Sequence, residues 1–243
     1  MKIPLRPQPA IYPCPVLVVG SQDAAGKPNL MVASWGGLAS MMPPALSVAI
    51  RPETHTHANI LETGAFTVAI PRASQMETVD LLGTATGAKV DKFSLAGLTL
   101  ARSGKVPAPY ADEFPVVMEC EVVANADLGS HTLFVGRIVG LLADDGITDG
   151  KSLPKLDAVD PLALSPAGYT YHASRPEPIG RAFRVAGDKA KEKAGRNRPL
   201  LAGIALALLL ALSAVAVVSC PGTKPAMEAV GRAAAAGGLM VPR

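Results

Sequence analysis

Residues 27–59 carry the reading that decides the fold: Lys27-Pro28-Asn29-Leu30-Met31-Val32-Ala33-Ser34-Trp35, then Pro43-Pro44-Ala45-Leu46-Ser47-Val48-Ala49-Ile50-Arg51-Pro52, then Thr54-His55-Thr56-His57-Ala58-Asn59. Leu30 to Trp35 is an extended pattern. Ala45 to Ile50 is a short apolar strand opened by a proline pair, which punctuates the chain before it. Thr54 to Thr63 predicts a short helix, with Thr54 as N-cap and Gly64 as its C-terminal stop.

The same pattern extends on both sides. Upstream, Pro15-Val16-Leu17-Val18-Val19-Gly20 is a Val-rich run, and Asp23-Ala24-Ala25-Gly26-Lys27 is a turn, so residues 15–35 predict a hairpin. Downstream, Phe66 to Ile70 is a third buried strand. Phe114 to Val123 alternates, with Val116, Met118, Cys120 and Val122 on one face and Glu119 and Glu121 on the other. Thr132 to Leu142 is a further strand. Ser74-Gln75-Met76-Glu77 has the form of a capping box before a second short helix. Antiparallel strands with a few short helices predict a mainly β protein built as a closed or partly closed barrel.

Composition sets bounds. The chain has 243 residues, 49% of them hydrophobic, enough for one or two domains with a sizeable core. Aromatics are only 4%, which argues against a stacking platform for single-stranded nucleic acid. The net charge of +3 is unevenly spread: residues 1–180 sum to −4, and the basic excess begins at Arg181. No nucleic-acid footprint lies in the main domain. Cys14, Cys120 and Cys220 are odd in number and widely spaced, which fits neither a disulfide framework nor a zinc site. They fit a reducing compartment. The first ten residues hold three prolines and no apolar run, so no secretory signal opens the chain.

The C-terminus differs in kind. We divide the chain into a main domain at 1–187, a basic linker at 188–199, an apolar stretch at 200–220 and a disordered tail at 221–243. The 200–220 stretch holds no charge and suits one membrane crossing, which takes about 20 residues. A buried core helix is the competing reading. Lys189, Lys191, Lys193, Arg196 and Arg198 precede it, and the positive-inside rule then puts the main domain in the cytoplasm, anchored to the inner membrane.

No hydrolase or dinucleotide motif is present: the chain has no GxSxG, no P-loop and no GxGxxG after a strand. His55 and His57 stand close together but lack a matching third ligand, so no metal site is expected.

The decisive block, with the segments after it, resembles the flavin reductase-like, FMN-binding split-barrel family, and flavoredoxins in particular. The further matches, in order, are Gly64-Ala65-Phe66-Thr67-Val68-Ala69-Ile70-Pro71, Val90-Asp91-Lys92-Phe93 with Ala96-Gly97-Leu98-Thr99, Pro115 to Cys120, His131 to Gly136, Tyr169-Thr170-Tyr171 and Ile179 to Phe183. The resemblance spans about residues 8–187. Ala69 departs from the asparagine that is usual in the family's strand. The fold so implied is an FMN-binding split β-barrel, here followed by a C-terminal apolar helix.

The residues are compatible with FMN, preferred to FAD. A flavin phosphate is a dianion that needs several donors. Arg51 offers a forked cation, or reads as a surface ion-pair partner. Thr54, His55 and Thr56 sit at a helix start, where free backbone N–H groups favour an anion. Lys92 supplies a second charge. Ala33, Ser34 and Trp35 are the stretch to place along the isoalloxazine ring. Asn29 and Ser40 add hydrogen bonds or serve as turn residues. Asn59 faces the phosphate or solvent. The resemblance puts His131 near the flavin face that nicotinamide approaches, as the candidate catalytic residue. Cys14 and Cys120 read as packed apolar residues.

Three functions follow. One is an NAD(P)H-dependent flavin oxidoreductase, with NAD(P)H as co-substrate and a redox partner protein or small molecule as acceptor. The second is a flavoredoxin-type FMN electron carrier without its own NAD(P)H activity. The third is a membrane-tethered barrel that has lost flavin. The resemblance also implies a homodimer.

Overall fold

The computed structural model describes residues 2–174 and 177–178. The strands are β1 (Cys14–Pro15), β2 (Leu17–Gln22), β3 (Pro28–Ala33), β4 (Gly36–Met41), β5 (Pro44–Ile50) and β6 (Ala65–Ile70). After these come β7 (Leu100–Arg102), β8 (Pro109–Ala111), β9 (Val116–Asp127), β10 (Thr132–Ala143), β11 (Leu162–Ser165) and β12 (Thr170–Ala173). Four short helices join them: α1 (His55–Thr63), α2 (Met76–Thr84), α3 (Lys92–Ala96) and α4 (Leu156–Val159).

Seven strands form one antiparallel sheet in the order β3-β2-β6-β9-β10-β5-β4. Its two outer strands are β3 and β4, yet only Ser34 and Trp35 lie between them in the chain. Three Cα steps separate Ala33 from Gly36, a reach of about 11 Å. The two edges must therefore lie close together, and the sheet curls into a barrel whose split falls at Ser34–Trp35. The domain is mainly β, with a split barrel at its centre.

The expected hairpin is β2–β3, in register from Leu17↔Ala33 to Gln22↔Pro28. Lys27 N–H donates to the Asp23 carboxylate at 2.8 Å and closes the turn. The run at 16–19 is apolar throughout because both faces of the strand are covered. Leu17 and Val19 point into the barrel beside Val48, Phe66 and Phe134. Val16 and Val18 face an outer layer with Val79, Leu82, Phe93 and Phe114. Strands buried on both faces lose polar alternation. Phe66 has no exposed surface, so its truncation to alanine costs about 3–5 kcal/mol.

Helix α1 forms as expected. Thr54 accepts His57 N–H at 3.2 Å, and Gly64 ends the helix at φ 65°, a conformation glycine adopts without strain. The α3 segment explains the Asp91-Lys92-Phe93 motif. Asp91 caps the helix by accepting from Phe93 and Ser94, and Phe93 packs into the outer core.

Two expectations are corrected. Glu119 does not face solvent: it is buried, and Ser103 donates to its carboxylate at 2.5 Å. The barrel covers both faces of β9 at this point, so alternation there marks two packed sides. The Ser74–Glu77 capping box does not form either. Gln75 instead accepts Arg72 N–H at 2.8 Å, which places the reciprocal bond two residues earlier. Pairing with β1 and β11 was not foreseen; those strands are too short to show a period.

Among the described residues no helix is long and apolar enough to cross a membrane. The 200–220 stretch, with the boundaries at 187, 199 and 220, lies outside the described residues.

Candidate functional site

Two cavities take most of the expected site residues between them, one at the start of α1 and one at the seam. The smaller, about 160 Å³, lies at the start of α1 and is lined by Asn29, Thr54, His55, Thr56, Gly87 and Lys92 among others. Thr54, as N-cap, satisfies the N–H of His57 and donates its own hydroxyl to Arg51 O at 2.9 Å. The first-turn amides of His55 and Thr56 have no helical acceptor, and the helix dipole adds positive potential there.

Three buried groups face this cavity without a full set of partners. Lys92 is 4% exposed, and its ammonium donates only to Leu82 O, at 2.7 Å. No carboxylate pairs with it among the described residues. Burial alone pushes its pKa down to about 8. Asn29 donates through Nδ2 to Thr56 Oγ1 at 2.7 Å, while its Oδ1 is buried with no partner. His55 Nε2 is buried and unpartnered too. Buried polar atoms are normally satisfied, so orphans gathered around one cavity mark it as a place for a polar ligand.

The larger cavity, about 480 Å³, opens at the seam itself. Ser34, Trp35, Gly36 and Gly37 form one side, Ala49 and Leu133 the floor, and the N-terminal segment with Ile11 and Cys14 the opposite wall. The lining is largely apolar, which suits a flat ring system. Trp35 is 44% exposed and stacks on His131 with centroids 4.6 Å apart at 36°. His131 Nδ1 shares a hydrogen bond with Ser130 Oγ at 3.0 Å. Ala33 is buried at the end of β3 and offers its backbone to the seam.

The structure thus brings Asn29, Thr54, His55, Thr56 and Lys92 together at one end, and Ala33, Ser34, Trp35 and His131 at the other. It does not bring in Arg51, Ser40 or Asn59. Arg51 pairs with Glu53 at 2.6 Å on the surface, both side chains more than half exposed. Glu53 is held below the usual carboxylate range, first by its own backbone amide and then by Arg51. Ser40 lies exposed on β4, where the register shifts by a bulge. Asn59 is buried and donates to Ser21 Oγ at 3.1 Å, pinning α1 to β2. Cys120 is packed in the core, where burial and then Glu119 push its thiol up to about 12. Sequence reasoning missed Gly87, where an added Cβ would clash with Asn29 Oδ1. It also missed the N-terminal wall, whose exposed, proline-rich residues carry no period.

A family model described as the flavin reductase like domain matches residues 10–172. The chain belongs to that family. It is similar to the flavoredoxin of Desulfovibrio vulgaris (Miyazaki F), with 34% identity and a TM-score of 0.72 over 76% of this chain and 100% of that one. It is 39% identical over 141 residues to an uncharacterized protein of Archaeoglobus fulgidus, covering 58% of this chain and 78% of the relative. It is 30% identical over 132 residues to the flavin reductase (NADH) of Kitasatospora aureofaciens, covering 52% of this chain and 64% of that protein. The family match spans the seven-stranded sheet and the four helices. Flavin-binding of the family and the donor set at α1 agree: a buried cation, free helix amides and orphaned polar atoms fit a phosphate, and the apolar slot fits a ring.

Proposed function

We propose that this flavin reductase-like domain holds FMN across the seam and passes electrons from NAD(P)H to an acceptor. The observation that carries the reading is Lys92: a buried ammonium with no carboxylate partner among the described residues, beside the free first-turn amides of His55 and Thr56, matches a phosphate dianion. Lys92, His55, Thr56 and Asn29 would hold that phosphate. Ser34 and Trp35 would flank the ring, and the small residues Gly36 and Gly37 let the backbone approach it. A terminal monophosphate fits a cavity of about 160 Å³, so FMN is preferred to FAD. The bound flavin would supply two-electron acceptance from nicotinamide at its ring. The protein's part is positional. His131 borders the mouth on Trp35, where its ring orients the donor and its protonated form offsets negative charge.

The alternative is an FMN electron carrier between redox proteins, without NAD(P)H activity of its own. The likeness to flavoredoxin over the whole of that chain favours it. An anaerobic absorbance titration separates the two. Visible flavin bands that bleach quickly with NADH support the oxidoreductase. Bands that persist with NADH but bleach with a chemical reductant support the carrier. A colourless protein that fails to bind added FMN overturns both.

We further propose a homodimer. Strand β4 is a sheet edge, and Leu38, Met41 and Met42 along and after it are 85%, 90% and 89% exposed. An apolar edge of this kind is normally covered, and a second copy would cover it. Sedimentation that gives a monomer at micromolar concentration would reject this. The sequence reading of 200–220 as an inner-membrane anchor for a cytoplasmic domain is tested by fractionating cells that express the full chain; recovery wholly in the soluble fraction rejects it.

A further inference from the structure

The motif Thr54-His55-Thr56-His57 holds two histidines, and the cofactor reading uses only the first. His57 lies on α1 but turns away from the phosphate cavity. Its Nε2 shares a hydrogen bond with Thr132 Oγ1 at 2.9 Å, across 75 residues of chain, and its ring packs edge-on against Phe134 at 5.3 Å and 67°. Thr132 is the first residue of β10, and His131 stands directly before it. The backbone ladder begins at Thr132, which pairs with Ile50 and Asp127. His131 therefore sits one residue beyond the ladder, on the turn where Leu128 N–H donates to His131 O at 2.9 Å. Thr132 is buried and covalently adjacent to His131, so fixing Thr132 limits where the His131 ring can lie, and that ring stacks on Trp35.

We propose that His57 is a positioning residue that couples the two ends of the site: it locks the helix whose start forms the anion cavity to the strand end that aims His131 at the ring slot. The inference rests on the flavin reading for its catalytic consequence, but the coupling itself concerns only this chain's residues. A threonine hydroxyl both donates and accepts, so it bonds Nε2 whether His57 is neutral or protonated.

Trp35 is the chain's single tryptophan, so its fluorescence reports the His131 stack directly. A histidine ring in contact quenches indole emission, so the wild-type chain is expected to be dimmer than a His131→Leu control at the same pH. The variants are Thr132→Val, which removes the hydroxyl at nearly constant volume, His57→Leu, and His57→Gln, whose amide reaches the position of Nε2. We expect Thr132→Val and His57→Leu each to lose most of this quench, and His57→Gln to restore it. With FMN bound, the same two variants are expected to keep wild-type FMN affinity while bleaching by NADH slows ~10- to ~100-fold, the range a misplaced group costs. An unchanged quench in both Thr132→Val and His57→Leu overturns the proposal. So does a parallel loss of thermal stability and FMN affinity that His57→Gln does not rescue, because that is a packing role. If the wild-type chain binds no FMN, the flavin reading fails, and the fluorescence arm still decides the coupling.

Discussion

The two cavities differ in how they are made. The anion end is small, polar and built from one helix start, one strand residue and one buried lysine, with polar atoms left short of partners. The ring end is three times larger, apolar and open, and it draws on the N-terminal segment, the β3–β4 link, β5 and the start of β10. The first is a local device that binds charge through a few strong contacts. The second is a product of closure that binds shape through many weak ones. Phosphate affinity should therefore fall sharply with one substitution, and ring affinity only gradually.

The largest effect is expected at Lys92. Lys92→Met should lower FMN affinity about 100-fold, the size of a charge-assisted hydrogen bond of about 1.5–3 kcal/mol, and leave riboflavin binding unchanged. Fluorescence titration with both ligands measures this. Equal losses for the two ligands would place Lys92 outside the phosphate end and break the division.

The pH dependence sharpens the same point. Lys92 loses its proton in the fold at about 8, against an ordinary 10.5. FMN affinity should hold steady below pH 8 and fall by up to about tenfold per pH unit above it. For folding the sign is opposite. The unfolded chain keeps this proton up to 10.5, so between pH 8 and 10.5 the unfolded state binds more protons and Lys92 makes stability rise with pH. Thermal melts of the wild type and Lys92→Met at pH 8 and 10 should therefore diverge least at the higher pH.

Trp35→Leu tests the ring end. It should weaken FMN and riboflavin alike, by about 3- to 12-fold, as expected from losing one aromatic contact of about 0.5–1.5 kcal/mol. A loss confined to FMN would mean that the seam senses the phosphate.

The smallest effect is expected from Thr54→Ala, which removes the α1 cap. It should cost about 1 kcal/mol of stability, read as a lower Tm, with a modest loss of FMN affinity. Arg51→Ala is its control: the exposed pair with Glu53 contributes under about 1 kcal/mol, and neither ligand should bind differently.

The sequence exposed much of the anion end because its parts obey short-range rules. Thr54 must precede the helix it caps, and Asp91 must stand just before Lys92 to open α3, so spacing alone signals them. Arg51 left two readings open, and the structure shows the surface ion pair with Glu53. Its place beside the helix is local, but whether a long side chain turns inward or pairs with a neighbour depends on what else fills the cavity. Asn59 likewise has the right helical position, yet Ser21 on β2 claims it. Gly87 gives no local signal, since its meaning is the absence of a Cβ opposite Asn29. Glu119 read as outward because alternation assumes one wet face, and the curled sheet has none there.

By itself the sequence determined the strand-rich class, the helix at 54–63 with its caps, the Asp91-Lys92-Phe93 turn and the membership of a flavin-binding family. Each follows from neighbours in the chain, over distances that propensity and capping control. Only the tertiary structure decided that β3 and β4 are opposite edges of one sheet, that their two-residue link is the barrel's seam, and that His57 on α1 bonds Thr132 on β10. Those facts depend on closing loops from 46 residues, between Ile70 and Val116, up to 92 residues, between Ala45 and Arg137. Such contacts form when apolar faces are buried together, a condition no short stretch of sequence contains.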